Sequence, residues 1–147
     1  EMSVSGNAIN KAEKEEVIRK YFSAWLNKTP DVLPSIFAED IVYSECYGPE
    51  YNGLNQIELW FRDWNENGCV LEWRIKSFMH DGNRLVVEWY FKCVFKGETG
   101  GFDGVSLVTF DEKGRICSLK EFQSKSDHVF PYKNGDHNDL LRGSNFE

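Results

Sequence analysis

The spacing of apolar residues lays out the elements of this chain. In EVIRKYFSAWL (16–26), Val17, Ile18, Tyr21, Phe22, Trp25 and Leu26 recur at helical intervals, with Arg19, Lys20 and Ser23 elsewhere. Asn27-Lys28 ends that helix. Thr29-Pro30 opens a short second one, with Thr29 as cap, Pro30 at the first helical position and Leu33, Ile36 and Phe37 inward. Ala38-Glu39-Asp40 lead out of it into a strand, IVYSECY (41–47), closed by Gly48-Pro49. A third helix is expected over 54–67, where Ile57, Trp60, Phe61 and Trp64 fall at i, i+3, i+4 and i+7. Asn55 and Glu58 have the spacing of a capping box, and Gly68 is its stop.

From residue 69 the period changes to two. CVLEWRIKSFMH (69–80) alternates Leu71, Trp73 and Ile75 with Glu72, Arg74 and Lys76, and Asp81-Gly82 makes a turn. RLVVEWYFKCVF (84–95) sets Trp89, Phe91, Cys93 and Phe95 against Glu88, Lys92 and Lys96. A loop over 97–101, a strand GVSLVTF (104–110), the turn Asp111-Glu112-Lys113-Gly114 and a last strand RICSLKEFQS (115–124) complete the series. Helix, helix, strand, helix and then a four-stranded antiparallel meander predict an α+β fold with helices on one face of a strongly curved sheet.

Composition narrows the function classes. The 147 residues predict a single domain over 1–126 with a short polar N-terminal lead, followed by a tail over 127–147. That tail is polar and turn-rich but carries Phe130, Tyr132 and Leu140-Leu141, suited to packing across the domain or onto a partner. A net charge of −7 with no basic stripe argues against nucleic acid. No apolar run reaches the ~20 residues of a membrane span, and the N-terminus has no signal-like apolar core. Cysteines 46, 69, 93 and 117 are too widely spaced for a metal or redox motif, so they are expected as ordinary buried thiols in a cytoplasmic protein without a metal or cofactor. His128 and His137 in the tail suggest no metal either, and His80 is taken as a turn residue.

The element order, with RKYFSAW, LPSIFAEDIVYSE, GLNQIELWF and VSLVTFDEKGRICSLKEF, resembles the SnoaL-like branch of the NTF2-like superfamily, related to ketosteroid isomerases and polyketide cyclases. The resemblance covers about residues 12–125. It implies an NTF2-like (cystatin-like) cone, three N-terminal helices packed on a strongly curved, mostly antiparallel sheet. It also implies a pocket for a small hydrophobic molecule, and a homodimer is expected beside it. The outer sheet face with Glu88, Tyr90, Lys92 and Val94 is the expected dimer surface.

The same resemblance assigns candidate residues. Glu45 matches the carboxylate that moves a proton in ketosteroid isomerases, and Tyr21 matches their oxyanion-donating tyrosine. Proton removal beside a carbonyl needs a base near the carbon and a donor near the oxygen. Ser106 stands where those isomerases carry a protonated Asp, which departs from their pattern. Glu121 falls in phase with Leu119 and Gln123, positions that face the cavity in the family, and is a further acid foreign to steroid isomerisation. Trp25, Trp60, Trp64, Trp73, Trp89 and Phe91, with Ser106 and Gln123, are the expected ligand-binding residues. Related epoxide-opening enzymes place an Arg between two acids, and no Arg here has an inward phase.

Plainer readings stand beside these: Glu45 as a solvated or hydrogen-bonded carboxylate at a strand end, or as a ligand- or water-binding group without chemistry, Tyr21 and the tryptophans as core, Glu121 as partner of a Lys or of backbone. Two function classes follow. One is an enzyme doing cofactor-independent isomerase, cyclase, dehydratase or hydrolase chemistry with Glu45, Tyr21 and Glu121. The other is a non-catalytic ligand-binding or dimerisation module.

Overall fold

The computed structural model describes residues 9–133. His137 and Leu140-Leu141 of the expected tail lie outside the described residues. In chain order the elements are α1 (Lys11–Asn27), a 3-10 turn (Pro30–Val32) running into α2 (Leu33–Ile36), β1 (Phe37–Ser44), β2 (Glu50–Asn52), α3 (Leu54–Asn67), β3 (Gly68–Asp81), β4 (Arg84–Phe95), β5 (Glu98–Phe110) and β6 (Ile116–Ser124).

Helix α1 starts at Lys11, six residues before Val17 opens its apolar stripe, because Asn10 caps it. The Asn10 side chain accepts from the Glu13 N–H, and Glu13 accepts from the Asn10 N–H, both at 2.8 Å. Lys14, on the buried side, donates from Nζ to the Gly82 carbonyl at 2.7 Å and fixes α1 to the β3–β4 turn. His80 is not in that turn. It lies in β3, and its Nε2 meets Glu15 Oε2 at 2.7 Å, a second tie to α1.

The capping box expected from Asn55 and Glu58 does not form. The chain enters α3 through Gly53 at φ 93°, so Gly53 is the cap and Asn55 already lies inside the first turn. Gln56 instead accepts from the Asn52 N–H at 2.7 Å. Thr29 likewise makes no side-chain cap bond.

The strands form one curved, unclosed mixed sheet in the order β2-β1-β6-β5-β4-β3. Every neighbouring pair is antiparallel except β1 and β6, which run parallel. Strand β1 starts at Phe37, so Ala38-Glu39-Asp40 belong to the sheet, and it ends at Ser44, three residues earlier than expected. Its partner β2 is short and polar and has no alternation to announce it. The expected loop over 97–101 is instead a tight turn: Lys96 and Gly97 both take positive φ (50° and 84°), the geometry that suits the twist of a hairpin, and β5 begins at once. The helices cover one face of the sheet, α1 on β3 and α3 on β1 and β2. Ile18, Tyr21, Leu33, Ile36, Ile41, Tyr43, Val87 and Trp89 are fully enclosed between the layers. Among the described residues no helix is long and apolar enough to cross a membrane.

Candidate functional site

Parallel pairing brings two distant carboxylates together. Ser44 lies opposite Lys120, so the residues that follow, Glu45 and Glu121, emerge side by side at the same end of their strands. Glu45 is held by a turn: its N–H donates to the Pro49 carbonyl at 2.9 Å, and its own carbonyl accepts from Gly48 at 3.0 Å. Gly48 takes φ 115° there, a conformation that few other residues adopt. The Glu45 side chain accepts from the Tyr51 hydroxyl at 2.9 Å, and the Tyr51 ring stacks on Trp60 at 4.5 Å.

Both carboxylates face a chamber of about 40 Å³ lined by all five tryptophans of the chain, with Val70, Phe91 and Phe102. Cys46 and Tyr47 border it beside Glu45. The tryptophans come from four elements: Trp25 from α1, Trp60 and Trp64 from α3, Trp73 from β3 and Trp89 from β4. They also pack on one another and on the core. Trp73 stacks on Phe22 at 3.9 Å and meets Trp89 edge-on at 5.7 Å, while Trp25 lies 5.0 Å from Trp60 and 5.4 Å from Trp64. The rings therefore fill most of the interior. What remains takes a few waters or a group of a few heavy atoms, well short of the roughly 150 Å³ that admits benzene. The Trp73 N–H, on this wall, has no acceptor among the described residues.

Behind Glu121 runs a chain of hydroxyls. Tyr21 donates to Tyr43 at 2.7 Å, and Tyr43 donates a short hydrogen bond to Glu121 Oε2. Burial pushes the Glu121 carboxyl up to about 7, the Tyr43 bond opposing and the Glu45 charge adding to the rise. Burial also raises Glu45, with Tyr51 opposing. Tyr21 and Tyr43 are raised well above the usual phenol range, by burial first and the Glu121 charge second. Burial, helped by both glutamates, pushes Cys46 up to about 12, so it stays a thiol and is a poor nucleophile.

The chamber gathers Glu45, Glu121, Trp25, Trp60, Trp64, Trp73, Trp89 and Phe91. Three other candidates stand apart from it. Tyr21 sits one hydrogen bond behind, its hydroxyl turned to Tyr43. Ser106 is buried and accepts from the Trp89 indole N–H at 2.9 Å. Gln123 is exposed near the end of β6, beside Gly101, Phe102 and Ser124 on another surface. Sequence reasoning missed Tyr43 and Tyr51, the two residues that hold the acids. The first was legible, since Ile41, Tyr43 and Glu45 share one phase of the strand. Among the described residues no three His, Cys, Asp or Glu side chains gather closely enough for a metal ion.

Residues 18–119 match the family model of the SnoaL-like domain. No curated protein matches the chain significantly. Among solved structures, a protein of ketosteroid isomerase-like fold from Catenulispora acidiphila, in complex with trimethylamine, aligns with a TM-score of 0.67 at 21% identity over 74% of this chain and 85% of that one. An LEH-like epoxide hydrolase of M. tuberculosis aligns at 0.69 and 17% identity, covering 77% and 84% of the two chains. An NTF2-like protein from Burkholderia xenovorans aligns at 0.67 and 18% identity, covering 80% and 93%. At these identities the likeness establishes the fold, which is NTF2-like.

Proposed function

The chain belongs to the SnoaL-like domain family, and on that premise we propose that its chamber takes up a small molecule and exchanges a proton with it through Glu121. The observation that supports this is the Glu121 carboxyl itself. It faces the indole-lined hollow, is fixed by Tyr43, and is held near pH 7, where a group serves as acid or base with equal ease. Glu45, fixed by Tyr51, is the second acid–base group of the pair. Tyr21 acts through Tyr43 as a positioning residue, since its hydroxyl has no face on the chamber. The arrangement is less suited to steroid-type isomerisation: of the two expected oxyanion donors, Tyr21 gives its proton to Tyr43, and Ser106 lies buried beside the Trp89 indole, off the chamber wall.

Turnover of short enones and epoxides, neutral and amine-bearing, is the test. Glu121→Gln is expected to lower kcat by about 10²–10⁴-fold with little change in KM and to remove an inflection near pH 7 from the rate profile. Wild-type rates in the variant would sink the role of Glu121. No turnover by the parent on any panel member leaves the competing reading, a non-catalytic binding or dimerisation module. One observation favours that reading: the rings leave only about 40 Å³ free.

This reading also pairs two copies through the outer sheet face. Glu88, Val105 and Phe122 form one cross-strand row there, and Phe122 is 46% exposed. Light scattering is expected to give twice the mass of the chain, and Phe122→Lys to halve it. A monomeric parent, or a dimer indifferent to that change, would refute the arrangement.

A further inference from the structure

We propose that the molecule in the chamber carries a positive charge: a small ammonium head group held against indole faces and between the carboxylates of Glu45 and Glu121. The inference rests on the chamber being a small-molecule site, and it is independent of whether Glu121 catalyses. It changes the expectation of a hydrophobic ligand.

Charge carries the argument. The chamber wall includes two carboxylates and no Lys, Arg or His. Among the described residues, every ion pair lies elsewhere, and neither Glu45 nor Glu121 takes part in one. Their partners are all neutral: the Tyr51 hydroxyl for Glu45, and the Tyr43 hydroxyl with the Cys46 backbone N–H for Glu121. Closing an apolar molecule over such a pair would strip water from the acids and give nothing in return, and an anion would add repulsion. A cation replaces the lost hydration with direct attraction.

The walls point the same way. An aromatic face presents the negative side of its quadrupole, most strongly for indole, and a cage of such faces selects ammonium groups over neutral ones of the same shape. Here all five tryptophans border one hollow. Its volume of about 40 Å³ suits a head group of a few heavy atoms, with any longer substituent leaving past Tyr47, which is 55% exposed.

The test compares each cation with a neutral molecule of equal heavy-atom count: methylammonium with methanol, and tetramethylammonium with tert-butanol. The full chain is titrated at pH 8 in phosphate, with sodium chloride matching the ionic strength, and followed by tryptophan fluorescence and calorimetry. At least one cation is expected to bind about tenfold or more tightly than its counterpart. Glu45→Gln/Glu121→Gln is expected to erase the preference. Equal affinity within both pairs, no binding of either cation, or a preference that survives in the double variant each overturns the proposal. The wild-type comparison stands even if the double variant does not fold. Turnover of a neutral enone by a chain that ignores both cations refutes only the charge assignment. Cation binding without turnover on any substrate refutes only the catalytic reading.

Discussion

Between about pH 4.5 and 7 the folded chain is expected to lose about 3 kcal/mol of stability through Glu121, and Glu121→Gln to abolish that loss. The sign follows from linkage. The folded-state carboxyl titrates near 7, above its ordinary value of 4.5. Below both values it is protonated whether the chain is folded or not. As the pH rises past 4.5 the unfolded chain releases its proton while the folded chain holds on, so unfolding gains ground until about 7, where the curve levels. Glu45, raised in the same direction, adds to the slope. Glutamine keeps an oxygen to accept from Tyr43 but cannot ionise. Parent and variant should therefore match near pH 4, and the variant should be the more stable by pH 8. Urea unfolding across that range, in buffers without amines, measures the difference. Parallel curves would mean that Glu121 is not held as described.

Gly104→Ala is expected to cost about 3 kcal/mol or more. A Cβ at that position would stand 2.4 Å from Trp89 Cη2 and 2.5 Å from the Phe122 carbonyl oxygen. Neither neighbour can give way cheaply. Trp89 is 1% exposed, its indole N–H is tied to Ser106, and its ring abuts Trp73. The carbonyl belongs to the next strand. Because Trp89 also lines the chamber, the binding proposed there should weaken together with stability. Gly100→Ala is the control: nothing lies within 4 Å of its added carbon, so its effect should stay within about 0.5 kcal/mol. Equal denaturation midpoints for the two variants would disprove the packing account.

Alternation made the sheet legible where one face is buried. Trp89 and Phe91 occupy the side their phase assigns, and Glu121 shares the phase of buried Leu119. Phase gives the side of a strand and not its depth. Gln123, two residues beyond Glu121, continues the phase but lies exposed past the covered part of the sheet. Helix α3 was legible from its stripe, while its cap was not, since a glycine at positive φ replaced the expected side-chain box. Strand β2 escaped because three polar-flanked residues carry no period. The hydroxyl chain from Tyr21 through Tyr43 to Glu121 joins residues 78 positions apart in its last link, a contact that only long-range strand pairing creates.

The parallel alignment of β1 with β6 decides how much charge faces the inside of the molecule. Lys120 and Glu121 are adjacent and point to opposite sides of the same ribbon, as all neighbours in a strand do. Sliding β6 by one position would present an amine where an acid now stands, beside an unchanged Glu45, and a doubly acidic wall would become a pair of opposite charges. None of the indoles lies on β6, so the charge of the chamber is encoded in backbone pairing as much as in side-chain identity.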